Sequence, residues 1–135
     1  MRRTLALAAL AAAFSGCNWL TGNFALSGTV DVAPRLRERV PKENAMLFVV
    51  AENAGGVPVA VQRIVNPEFP AAFAMSPADL LVPALRRREP LKVHAEMNTH
   101  GDVGTPHPGD LEGSAPGTAY PGDGGVTVVL DRVSR

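Results

Sequence analysis

Proline and glycine cut this chain into short pieces. There are 12 prolines and 13 glycines among 135 residues, above average usage but below the level of a disordered segment. Turns are therefore many and elements short. What lies between the turns mostly alternates with the period of two that marks a strand. In "FALSGTVDVAP", Leu26, Gly28, Val30 and Val32 share one face. "AMLFVVAEN" (45–53) is nearly all apolar and reads as a buried central strand. "VPVAVQRIV" (57–65) follows after an "AGG" turn, with Pro58 near its start, where proline is tolerated. "AAFAMS" reads as a short strand, "LKVHAEMNTHG" (91–101) alternates cleanly, and "VTVVLDRV" (126–133) closes the set. "RLRERVPKEN" is a charged connection with one helical turn, "PADLLVPALRRREP" a crossing segment, and 102–125 one long turn-rich loop. About seven strands without a strong helix predict an all-β fold, an antiparallel sandwich whose sheets are each buried on one face.

The first residues are predicted to lie outside that fold. Arg2 and Arg3 form a positive start, and "LALAALAAAF" is an apolar run of ten residues, half the ~20 needed to span a bilayer as a helix. Such a pattern is a secretory leader. Phe14-Ser15-Gly16-Cys17 resembles a bacterial lipobox, with Phe where Leu is usual. That resemblance implies cleavage before Cys17 and acylation of its thiol by chains such as palmitate. The alternative is an ordinary secretory signal followed by an accidental cysteine. Cys17 is the only cysteine, so no intramolecular disulfide can form. An exposed thiol in an oxidising compartment would be a liability that acylation removes. The expected organisation is a leader over 1–16, a lipidated cysteine with a short tether over 17–25, and a β-sandwich over 26–135. In that tether, Trp19 and Leu20 either dip into the membrane interface or pack on the domain. Asn18 follows the cysteine, where aspartate is the usual inner-membrane retention signal of enteric bacteria, which favours the outer membrane over the inner, facing the periplasm.

Composition narrows the function classes. The chain has 46% hydrophobic and 19% charged residues, with formal net charge zero. A nucleic-acid partner would call for a clearly basic domain, so none is expected. No phosphate loop, zinc spacing or nucleophile elbow occurs.

The ordered blocks "SGTVDVAP", "LFVVAENAGGVPVAVQR", "FP", "VHAEMNTHGDVGTPHPGDLEG" and "VTVVLDRV" resemble the C-terminal Ig-like periplasmic domain of CycH-type cytochrome c biogenesis proteins. The likeness runs from about Leu26 to Val133. It implies an Ig-like sandwich and a role near cytochrome c maturation, with apocytochrome c or the haem-ligation machinery as partners. In that family an inner-membrane segment and a tetratricopeptide region precede the domain and take most of the apoprotein-binding work. Neither is seen in this sequence, where the lipid anchor is the expected membrane attachment. The stretch "AAFAMSPADLLVPALRRREP" matches only in part.

Two stretches carry candidate chemistry. In "TPHPGDLEG" (105–113), Asp110 and Glu112 are two apart, a spacing that would set both carboxylates on one side of an extended segment. Paired catalytic carboxylates usually come from separate elements facing a cleft, and no nucleophile or oxyanion donor accompanies these. The turn reading is stronger: proline presets φ, glycine admits positive φ, and Asp110 can accept from the backbone. His107, Pro108, Gly109, Asp110 and Glu112 are then a shaped rim and a candidate partner-contact loop. In "HAEMNTH", His94, Met97 and His100 are copper-ligand types. On a strand, Met97 points away from the face that the two histidines share. The histidines themselves stand ~20 Å apart. Met97 fits the core, and His107 could add a ligand only if the long loop folds back. Two basic groups remain: Arg35, Arg37 and Arg39 with Lys42, and Arg86, Arg87 and Arg88 with Lys92. They read as solvated turn surface, as contacts to anionic headgroups, which a short tether would hold close, or as contacts to an acidic partner protein.

The expectation is a membrane-anchored periplasmic module that binds or scaffolds, without catalysis or cofactor. The alternatives are a periplasmic copper chaperone using His94, Met97 and His100, and an envelope-structural lipoprotein.

Overall fold

The computed structural model describes residues 19–20 and 22–135. The expected leader, the lipobox and Cys17 lie outside the described residues. Ten strands occur among those described: β1 (Trp19–Leu20), β2 (Leu26–Val32), β3 (Met46–Glu52), β4 (Pro58–Val65), β5 (Ala71–Met75), β6 (Leu85–Arg86), β7 (Lys92–Asn98), β8 (Leu111–Ser114), β9 (Val126–Leu130) and β10 (Arg132–Val133). Two short 3-10 helices, Pro34–Arg39 and Pro77–Asp79, sit in the charged connection and in the crossing segment.

Two sheets face each other. One has the order β10-β8-β7-β3-β4, the other β5-β2-β9. Alternation does in space what it predicts in sequence. Leu26, Val30 and Val32 of β2, with Phe73 and Met75 of β5, meet Leu47, Val49 and Ala51 of β3 and Val93, Ala95 and Met97 of β7 in one core. Burying each large apolar side chain of this kind stabilises by about 1.5–3 kcal/mol. β3 is an interior strand, flanked by β7 and β4, as its apolar run predicts. Its second face holds Phe48 and Val50, both buried and outside the inter-sheet core. They stand in register with Arg63 and Val61 on one side and Glu96 and His94 on the other.

Turn chemistry fixes the β3–β4 hairpin. The Asn53 side-chain oxygen accepts from Gly55 N–H at 2.9 Å and Val57 N–H at 3.0 Å. Gly56 takes φ +76°, a left-handed conformation that glycine adopts without steric cost.

The structure departs from the sequence reading in three places. The pairing of β2 with β9 is parallel, with Val30 opposite Val128, so the sandwich is not wholly antiparallel. Parallel neighbours need a crossover, and most of the domain separates these two. The closing run "VTVVLDRV" is two strands: β9 lies in the three-stranded sheet and β10 in the five-stranded one. The chain changes sheet at Asp131, whose N–H bonds Glu112 O at 3.1 Å. The long loop also contains a strand, because "LEGS" is β8 and pairs with β7. Apart from the two main sheets, the backbone of Trp19–Leu20 pairs antiparallel with β6, Leu20 opposite Leu85.

Candidate functional site

The loop between β7 and β8 gathers most of the polar chemistry at one end of the sandwich. It begins at Asn98, a buried polar residue at the end of β7. Asn98 Oδ1 accepts Gly101 N–H at 2.9 Å, and its Nδ2 donates to Asp102 O, also at 2.9 Å. A buried amide left unpaired would cost about 1–3 kcal/mol, so this pairing ties the start of the loop to the sheet end. The other end is held by Asp110. One oxygen of its carboxylate receives His107 N–H at 2.8 Å and meets His100 Nε2 at 2.7 Å. The same oxygen thus closes the "HPGD" turn and draws His100 to it. Gly109, at φ +95°, completes the turn and donates its N–H to Ser134 O at 2.9 Å, while Ser134 N–H returns to Asp110 O at 2.7 Å. The C-terminal residues therefore brace the loop from the far side.

His107 folds back over His100. Their rings stack with centroids 3.7 Å apart and 19° between planes. Asp102 stands on the other edge, its Oδ2 3.8 Å from His100 Nδ1. Donor atoms of His100, Asp102 and His107 all lie within 4.8 Å of one another. The long loop does bend back, the condition under which His107 could join a ligand set.

The set His94, Met97 and His100 is not what the fold assembles. Met97 is 1% exposed, in the core, opposite Leu47 and Leu111. His94 lies on the outer face of β7, its ring nitrogens 3.4 Å from Glu52 and 3.6 Å from Glu96. Asp110 and Glu112 do not act as a carboxylate pair either. Asp110 is committed to His100 and the turn. Glu112 belongs to β8, between Glu96 on one side and Arg132 on the other.

The basic residues separate. Arg35 and Arg39 line an open groove of about 530 Å³ with Glu112, Arg132, Val133 and Arg135; Arg37 is not part of its lining. Arg35 Nη2 donates to Asp131 O. Arg132 and Arg135 are additions that the sequence reading missed: "DRVSR" reads as strand and tail until β10 lies beside β8. Arg86 lies in β6, on a different groove with Asn53, Val59 and Glu89. Arg87 stands next to it in the following turn, and the Arg88 guanidinium lies 5.2 Å from the Tyr120 ring centroid, a cation–π contact. Among the described residues no helix is long and apolar enough to cross a membrane.

Two facing sheets with rim loops of this kind define an Ig-like β-sandwich. The chain belongs to the family of the cytochrome c-type biogenesis protein H Ig-like domain, whose model matches residues 26–131. It is also 30% identical over 109 residues to an uncharacterized protein of Aquifex aeolicus (strain VF5), covering 80% of this chain and 71% of that one. No solved structure matches.

Proposed function

We propose that this protein is a non-catalytic binding module of the cell envelope, accessory to cytochrome c maturation. The observation that carries this reading is the family match across residues 26–131, which spans both sheets and the β7–β8 loop. Fold alone does not assign function, so the contact surface is drawn from the site. Pro108 and Gly109 are exposed at the tip of a loop braced by Asp110 and by Ser134. A tip held in this way presents backbone and side chains to a partner with little further ordering, which lowers the cost of association. The neighbouring arginine groove suits acidic segments of a partner. The Phe14-Ser15-Gly16-Cys17 lipobox supports anchoring through Cys17 on the periplasmic side, and Asn18 supports the outer membrane.

The test is an affinity pull-down of the tagged, membrane-anchored protein from detergent-solubilised envelope, with crosslinking and mass spectrometry. Enrichment of apocytochrome c or haem-ligation proteins is the expected outcome. Recovery of unrelated envelope proteins alone would overturn the cytochrome reading and leave a structural lipoprotein in its place.

A further inference from the structure

We propose that His100, His107 and Asp102 form a binding site for a single divalent transition-metal ion of the Cu(II) or Zn(II) kind. The inference goes beyond the binding role proposed above and does not depend on it.

The donors are of the right type and come from both arms of the β7–β8 loop. Two imidazoles and a carboxylate suit borderline cations such as Cu(II) and Zn(II) better than Mg(II) or Ca(II), which prefer all-oxygen cages. Their donor atoms already lie within 4.8 Å of one another. Asp110 supplies the orienting partner that ligating histidines usually have. Its carboxylate oxygen is 2.7 Å from His100 Nε2, and an ionised carboxylate can only accept. Nε2 therefore carries the proton, and Nδ1 keeps its lone pair on the side where Asp102 lies. The present partner of Nδ1 is the Asp102 N–H at 3.2 Å. Asp102 is exposed, so that amide can turn to water when Nδ1 takes a cation. His107 is exposed as well and sits at the tip of the fold-back. A modest splay of the stacked rings brings its lone pair onto the same ion, with water completing the coordination. Gly101 and Gly104, both at positive φ, make the turns that carry His107 back over His100. Neither His94 nor Met97 takes part.

The experiment is a titration of the whole, tag-free chain with Cu(II) and, separately, with Zn(II), followed by calorimetry and, for copper, electron paramagnetic resonance. One ion per chain should bind with a dissociation constant below about 1 µM. The copper spectrum should carry the coupling of two nitrogen ligands. His107→Ala removes an exposed side chain and should fold normally. It should weaken binding at least about tenfold and reduce the spectrum to one imidazole, whereas His94→Ala should leave both unchanged. Failure of the wild-type chain to bind below about 1 µM overturns the proposal. So does an His107→Ala variant that binds as the wild type, or an His94→Ala variant that loses affinity equally.

Discussion

A methyl group at position 113 would meet the backbone oxygen of Val129 at 1.8 Å. Gly113 looks like a turn residue after "PGDLE", yet it is in β8 and is buried. Its missing Cβ lets β8 lie against β9 of the opposite sheet where the chain turns toward Asp131. Gly113→Ala must therefore push backbone against backbone, which no rotamer can relieve. Urea unfolding should show a loss of about 3 kcal/mol or more, within the range reached only by overpacking and similar faults. Gly117→Ala is the comparison. Gly117 has open space around it and φ +85°, so strain at a left-handed position alone should cost about 1 kcal/mol.

At the scale of the element, β10 is only two residues long, yet it and Ser134 hold the rim. β10 pairs Arg132 with Glu112 and Val133 with Leu111. Ser134 exchanges two backbone hydrogen bonds with the "HPGD" turn. Deletion of residues 131–135 should leave the β3–β4 hairpin protected, because that hairpin lies at the opposite edge of the sheet. The Gly109 amide, whose acceptor is Ser134 O, should exchange at least about tenfold faster, as for a locally opening segment. Hydrogen exchange with residue resolution reads both. Equal acceleration in β3 would mean that the tail supports the whole sheet and not the loop.

For the whole molecule, one core joins the two main sheets, with side chains of β2, β5 and β9 packed on those of β3, β7 and β8. Met97 stands in it at 1% exposure, between Leu47 and Leu111 in the register. Met97→Ala should destabilise by about 2–5 kcal/mol. The loss should appear in one transition, with circular dichroism and core-amide exchange in agreement, as expected of a single small domain. A transition that splits in two would show that the sheets unfold independently.

Much of this architecture is legible in the sequence, and the illegible parts share a cause. Alternation in 26–32 and 92–98, and the apolar run of 46–52, are local consequences of burial on one or both faces of a strand. They place β2, β7 and β3 without knowledge of their partners. The same alternation marks Met97 as core and separates it from His94. Alternation carries no information about which sheet a strand joins. "VTVVLDRV" reads as one strand, although its apolar phase slips from Val126, Val128 and Leu130 to Val133 where the chain passes from one sheet to the other, and the parallel pairing of β9 with β2 has no local signature. β8 is hidden for a related reason. Gly113 reads as a turn because glycine usually makes one, and the close approach of β9 that excludes a side chain exists only once the sandwich closes. The histidine cluster is a third case. His100 and His107 are seven apart across Gly101, Gly104 and Pro106, and spacing along an extended chain sets them far from one another. Asp110, accepting from both the His107 backbone and the His100 ring, folds the loop back and stacks them. Strands, core face and turns thus follow from the order of residues. Sheet membership, the arginine groove and the candidate metal site come from contacts between segments distant in the chain, which form only in the closed fold.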